Sequence, residues 1–191
     1  MRASATGFSL IELIVTTTLV GILAALAIPS FINILRNNRL AAYTNEFTTA
    51  LTLARTESVK RNVTVGVCRS ANATSKKPSC DSGSGNGGWE NGWLVFADLN
   101  HITDSNDKNY GKDKFDDGEP ILHRHGALAG GLTVTGSNNV ANRVFFTSRG
   151  IVTTNGMGSF AFNDGRAEGV RLICLPVTGR PRLTANGVTA C

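Results

Sequence analysis

The 191-residue sequence predicts an α+β protein in which one long N-terminal α-helix, its first half membrane-spanning, packs on an antiparallel β-sheet domain. Three observations carry that prediction. Between residues 8 and 35 the only charged side chain is Glu12. Between residues 36 and 61 apolar side chains recur at helical spacing, with charges between them. From residue 62 onward the chain breaks into short β-branched and aromatic segments punctuated by Gly, Asn, Asp and Pro.

A helix over residues 8–35 rises roughly 40 Å, more than the ~30 Å hydrocarbon core of a bilayer. A cleaved secretory signal has its basic segment first, its apolar core next and its small-residue cleavage site last. Here the order is reversed, because the polar stretch Met1-Arg2-Ala3-Ser4-Ala5-Thr6-Gly7 precedes the apolar run. A charged side chain inside the membrane costs about 2.5–3.5 kcal/mol on insertion scales, so Glu12 is expected to meet a partner. Pro29 removes one backbone donor and clashes with the preceding turn, which predicts a bend or local melting there. Beyond it, Phe31, Leu35, Ala42, Phe47, Leu51, Ala54 and Val59 form the expected apolar stripe, interleaved with Arg36, Arg39, Glu46, Arg55 and Glu57. The helix is expected to end near Arg61. Asn62 then leads into the alternating, β-branched Val63-Thr64-Val65-Gly66-Val67. Further strands are expected at 93–97, 120–124, 131–135, 143–147, 159–163 and 169–175, with Asn163-Asp164-Gly165 as the hairpin signal between the last two.

Gly7-Phe8-Ser9-Leu10-Ile11-Glu12-Leu13 resembles the processing motif of type IV pilins and type II secretion pseudopilins. That resemblance implies a leader over residues 1–7, cleavage after Gly7 by prepilin peptidase and N-methylation of Phe8. It also implies that residues 8–35 are kept as a transmembrane and filament-core helix, with Glu12 paired to the N-terminal amine of a neighbouring subunit. Residues 36–61 would carry the helix into the globular part, and 62–191 would form a β-rich periplasmic domain. The run Trp89-x-x-Gly92-Trp93-Leu94-Val95-Phe96-Ala97-Asp98, an acidic loop and Ile121-Leu122 are similar to the GspH/FimT group of minor pilins and pseudopilins. The implied partners are major and minor pilins, prepilin peptidase and the bacterial inner membrane.

Cys68, Cys80, Cys174 and Cys191 allow three pairings. In the periplasm, where the resemblance puts the soluble domain, all four are expected to be oxidised. Nearest-neighbour pairing, Cys68 with Cys80 and Cys174 with Cys191, is the expectation, each closure contributing roughly 3 kcal/mol. Zinc is the rival reading, but the spacings lack the paired CxxC pattern.

The acidic loop holds Asp98, Asp104, Asp107, Asp113, Asp116, Asp117 and Glu119 with three lysines among them. It lacks the alternate-position spacing of a calcium loop and reads as solvated. His123 and His125 could share a strand face, but without a third ligand they read as surface histidines. No metal or cofactor is expected. Nor is an enzyme, since the sequence carries no nucleophile elbow, triad motif or phosphate loop.

The formal net charge of +5 is unevenly spread. Residues 1–61 hold six basic and three acidic side chains, 62–119 six and nine, and 120–191 seven and two. All seven of the last group are Arg, which suits bidentate contact with phosphate or carboxylate. Among them, Arg180 and Arg182 flank Pro181 after Gly179. Residues two apart on an extended strand project the same way, about 6.6–6.8 Å apart. Pro181 cannot donate to a ladder, which confines the segment to an edge strand or a loop. Gly179-Arg180-Pro181-Arg182 resembles the Gly-Arg-x-Arg motif of the FimT proteins, DNA-binding minor pilins of natural transformation. By that resemblance Arg180 and Arg182, with Gly179, bind the phosphates of incoming DNA; Arg166 and Arg171 are candidates, on charge alone, to extend the patch. The alternative is a structural minor pilin or pseudopilin of the FimU or GspH kind, which primes assembly of a type IV pilus or a type II secretion pseudopilus.

Overall fold

The computed structural model describes residues 7, 9–81, 83, 88–99, 115, 118–153, 158–166, 169–184 and 191. They fall in two compact units, Met1–Arg39 and Leu40–Cys191. The single helix α1 (Leu10–Arg61) contributes to both.

In the first unit α1 starts on a Ser-x-x-Glu capping arrangement, with the Glu12 carboxylate accepting the Ser9 backbone N–H at 3.2 Å. The hydroxyls of Thr16, Thr17 and Thr18 donate to carbonyls one turn back, at 3.0, 2.8 and 2.7 Å, so the helix satisfies its own polar groups. Leu10, Ile14, Leu19, Leu23, Leu26 and Ile28 are all exposed, and the helix is long and apolar enough to cross a membrane. The melting expected at Pro29 does not occur, since α1 runs unbroken through it. One proline deletes one N–H bond, and the Ala- and Leu-rich turn before it helps hold the rest of the ladder.

In the second unit α1 buries Leu40, Thr44, Phe47, Ala50, Leu51, Ala54 and Ser58. Apart from Ala50, their spacing alternates between four and three, a single helical stripe. Ala42 and Val59, expected on that stripe, lie off its centre and are exposed. Thr44 and Ser58 can be buried because their hydroxyls donate to the Leu40 and Arg55 carbonyls, each at 2.8 Å. The helix ends in a Schellman motif. Asn62 takes φ 56°, its N–H reaches the Val59 carbonyl at 3.3 Å, and the Val63 N–H reaches that of Ser58 at 3.2 Å.

Among the described residues eight strands follow: β1 (Thr64–Arg69), β2 (Trp93–Asp98), β3 (Ile121–His125), β4 (Thr133–Gly136), β5 (Arg143–Phe146), β6 (Gly158–Asn163), β7 (Val170–Leu175) and β8 (Arg182–Leu183). They form two antiparallel four-stranded sheets, ordered β3-β2-β1-β5 and β4-β6-β7-β8, where the sequence led us to expect one. Register sends Val65 and Val67, with their partners Val95, Val144 and Phe146, to the face that packs in the main core. At the centre of that core the Phe47 ring meets Trp89, Trp93, Phe160 and Phe162 edge-on, with centroids 4.7–5.6 Å apart.

The opposite face of the first sheet carries a second cluster, in which Cys68, Leu94, Phe96 and Phe145 pack with Ala73 and Phe115. The Cys68–Cys80 disulfide ties residues 70–80 to it. A second disulfide joins Cys174 to Cys191, and both bridges have Cα atoms 5.6 Å apart. The glycine of Trp89-x-x-Gly92-Trp93 has φ 123°, and a Cβ there would stand 2.5 Å from the His125 carbonyl oxygen. Only glycine turns the chain into β2 at that approach.

Candidate nucleic-acid interface

After β7 the chain turns through residues 176–179, closed by the Gly179 N–H donating to the Pro176 carbonyl at 2.9 Å. The neighbouring turn 147–151 lies alongside, and the Val152 N–H donates to the Val177 carbonyl at 2.9 Å. Gly179 is buried at φ 70°, and a Cβ on it would come within 2.3 Å of the Gly150 carbonyl oxygen. Its part is conformational, because it lets the backbone pass against Gly150 and then present Arg180.

Arg180 and Arg182 are exposed on either side of Pro181. Among the described residues neither side chain has a hydrogen bond or an ion pair. Arg182 opens β8, the outer strand of its sheet, as the proline requires. It lies opposite Cys174, on the face away from Phe160 and Ile173, and lines a groove of about 480 Å³ with Pro176, Leu183 and the Cys174–Cys191 bridge. Arg180 precedes the ladder, so strand pairing does not dictate a common direction for the two side chains.

The two arginines proposed to extend the patch are placed elsewhere. Arg166 forms an ion pair with the nearly buried Asp164 carboxylate, its Nε donating at 2.8 Å. Arg171 lies opposite Phe162, on the core-side face and so on the opposite face from Arg182; its Nε is buried. The strand register, invisible in the sequence, separates them.

Two arginines that the sequence reading did not assign to the site come to this turn. Arg55 of α1 donates from Nε to the Gly150 carbonyl at 3.0 Å, and its Cδ lies 3.3 Å from where a Cβ on Gly179 would be. Arg149 is exposed beside Gly150, with no side-chain partner among the described residues. The only sequence signal was the Arg-Gly of one turn facing the Gly-Arg of another, which means nothing until the turns touch.

Gly7 is exposed and Glu12 caps the first turn of α1, while Phe8 lies outside the described residues. So do Asp104, Asp107, Asp113, Asp116 and Asp117 of the acidic loop. Its two ends are placed, with the Leu99 N–H donating to Glu119 at 3.2 Å. His125 is not a surface histidine. Its ring stacks on Trp93 with centroids 4.0 Å apart, and its Nε2 lies 2.9 Å from Glu46. His123 is exposed, yet partial desolvation and the neighbouring His125 hold its pKa below the ordinary 6.5. Among the described residues no three metal-ligating side chains cluster.

A long apolar N-terminal helix that continues into a domain of antiparallel sheets defines a pilin-type subunit. Two crystal structures of the type IV minor pilin FimU from Pseudomonas aeruginosa have this fold. One matches at 19% identity and a TM-score of 0.52, over 78% of this chain and 90% of FimU. The other matches at 18% and 0.50, over 76% and 92%. No curated protein matches. A family model described as type II transport protein GspH matches residues 43–179, and the chain belongs to that family. By that family and fold it is a pilin-like or pseudopilin-like subunit, with an N-terminal helix long and apolar enough to cross a membrane.

Proposed function

We propose that this minor pilin binds extracellular DNA, without sequence preference, through Arg180 and Arg182 during DNA uptake in natural transformation. The observation that carries the reading is two exposed arginines, unpaired among the described residues, flanking a proline that leads into an edge strand. Guanidinium forks match phosphate oxygens, and contacts to phosphates alone carry no base information. Prepilin peptidase removes residues 1–7, and Phe8 is methylated. Residues 8–35 cross the inner membrane once and later line the filament core, where Glu12 meets a neighbour's amine. Residues 36–61 carry the helix into the domain, and 62–191 stay periplasmic until the pilus displays them.

The test uses the full chain in detergent micelles with double-stranded DNA of unrelated sequences. Affinity should fall steeply with salt, and each phosphate contact contributes about 0.9 to the log-log slope. Arg180→Gln with Arg182→Gln should lower that slope by nearly two; transformation should fall while piliation survives. Absence of binding by the wild-type chain at low salt overturns the reading. The GspH family match favours a second reading, a subunit that primes filament assembly together with other minor pilins. Lost assembly with unchanged DNA affinity in the double variant would select it.

A further inference from the structure

We infer that the anion-binding surface does not run to Arg166 and Arg171 but crosses the Gly150–Gly179 contact to Arg149 and Arg55, making a four-arginine track for one phosphodiester strand. This rests on the DNA-binding reading and extends it to residues that no sequence motif marks.

The geometry begins at a backbone contact. Gly150 and Gly179 both have positive φ, 72° and 70°; a Cβ on Gly179 would stand 2.3 Å from the Gly150 carbonyl oxygen, while one on Gly150 would stand 3.0 Å from Val59 and 3.4 Å from Arg55. Arg149 and Arg180 are the chain neighbours of these glycines, each one Cα step of about 3.8 Å from the contact. Arg55 reaches the same point from α1 and spends only Nε on the Gly150 carbonyl. Its terminal nitrogens make no bond among the described residues. Arg182 continues the track two residues past Arg180, onto the outward face of its sheet.

Charge supports the assignment. Among the described residues no carboxylate pairs with any of the four. The nearby acid of α1, Glu57, is occupied by Lys60 and Arg61. Uncompensated guanidinium groups gathered at one place repel each other, and a polyanion relieves that repulsion. An exposed Arg149 alone would be an ordinary surface residue. What distinguishes it is its position beside a backbone contact that also holds Arg55 and presents Arg180. A DNA strand repeats its charge every 3.4 Å along the axis, which suits a line of cations on a short path.

The test extends the salt titration to Arg149→Gln, Arg55→Gln and Arg166→Gln in the full chain. Arg149→Gln, whose side chain supports nothing else among the described residues, should weaken binding and lower the slope by about 0.9, one phosphate contact. Arg55→Gln should do the same, with a thermal melt checking that the turn it braces is intact. Arg166→Gln should leave the slope unchanged. If the double variant at 180 and 182 loses slope but Arg149→Gln does not, the track is wrong and the DNA reading stands. If wild-type protein shows no binding at low salt, the DNA reading itself fails. If Arg149→Gln blocks filament entry with DNA affinity intact, the surface belongs to a neighbouring pilin and the inference is overturned.

Discussion

Gly179→Ala separates the conformational role of the Gly-Arg-x-Arg glycine from the chemistry of its arginines. At φ 70° an alanine sits in the left-handed region, at a cost of about 1–2 kcal/mol. Its Cβ would also stand 2.3 Å from the Gly150 carbonyl oxygen, a rigid backbone atom held by Arg55. Relieving that overlap requires the two turns to part, a further ~1–3 kcal/mol by analogy with overpacked cores. A loss of about 3 kcal/mol should lower the melting temperature by roughly 6–12 °C for a protein of this size. Trp89 and Trp93, the only tryptophans, are both fully buried, so a red shift of emission on heating reports the unfolding of the domain. Gly165→Ala is the control, because Gly165 has φ 82° with nothing within 4 Å of its would-be Cβ. It should show the conformational cost alone. Equal melting temperatures for the two variants would refute the close-approach argument and leave Gly179 as an ordinary turn glycine.

Three further outcomes are expected. Intact-mass analysis of membrane-extracted protein should show a chain beginning at methylated Phe8, and Glu12→Ala should insert in the membrane yet fail to enter filaments; a chain still starting at Met1, or normal incorporation of the variant, counts against the pilin roles of these residues. Non-reducing peptide mapping should recover Cys68 linked to Cys80 and Cys174 to Cys191, and replacing Cys174 and Cys191 by Ser should cost about 3 kcal/mol for a closed loop of this length; a free thiol or a Cys68–Cys174 link would contradict it. The His123 ring should titrate below 6.5 in an NMR titration, since desolvation disfavours its charged form and His125 adds repulsion. The folded state then binds fewer protons than the unfolded state, so stability falls as pH drops through about 6.5 and below. A midpoint at or above 6.5 refutes that placement.

Much of the fold was legible in the sequence because its signals are local. The β-branched Val63-Thr64-Val65 run, the Trp93-to-Asp98 segment and the Asn163-Asp164-Gly165 turn each declare themselves within a few residues, and each lies at or beside its strand. Division into two sheets depends on which strands pair across long separations, and no local pattern encodes that. The helix stripe was misplaced where polarity misled, since Thr44 and Ser58 are buried by bonding to their own helix while apolar Val59 is not. At the candidate site, Pro181 located an edge. The fates of Arg166 and Arg171 turned on an ion partner and a strand face, and those of Arg55 and Arg149 on a contact between two turns.

The Cys174–Cys191 bridge has a mechanical consequence. Cys174 is both the ladder partner of Arg182 and the attachment point of Cys191, so the chain from 182 to 191 leaves and returns to one residue of β7. A strand with two ladder positions would unzip under a modest tug. Here peeling can free only the slack of a closed loop before the pull reaches a covalent bond to β7, a strand in the middle of its sheet. Tension applied at Arg182 is thereby passed into the body of the domain.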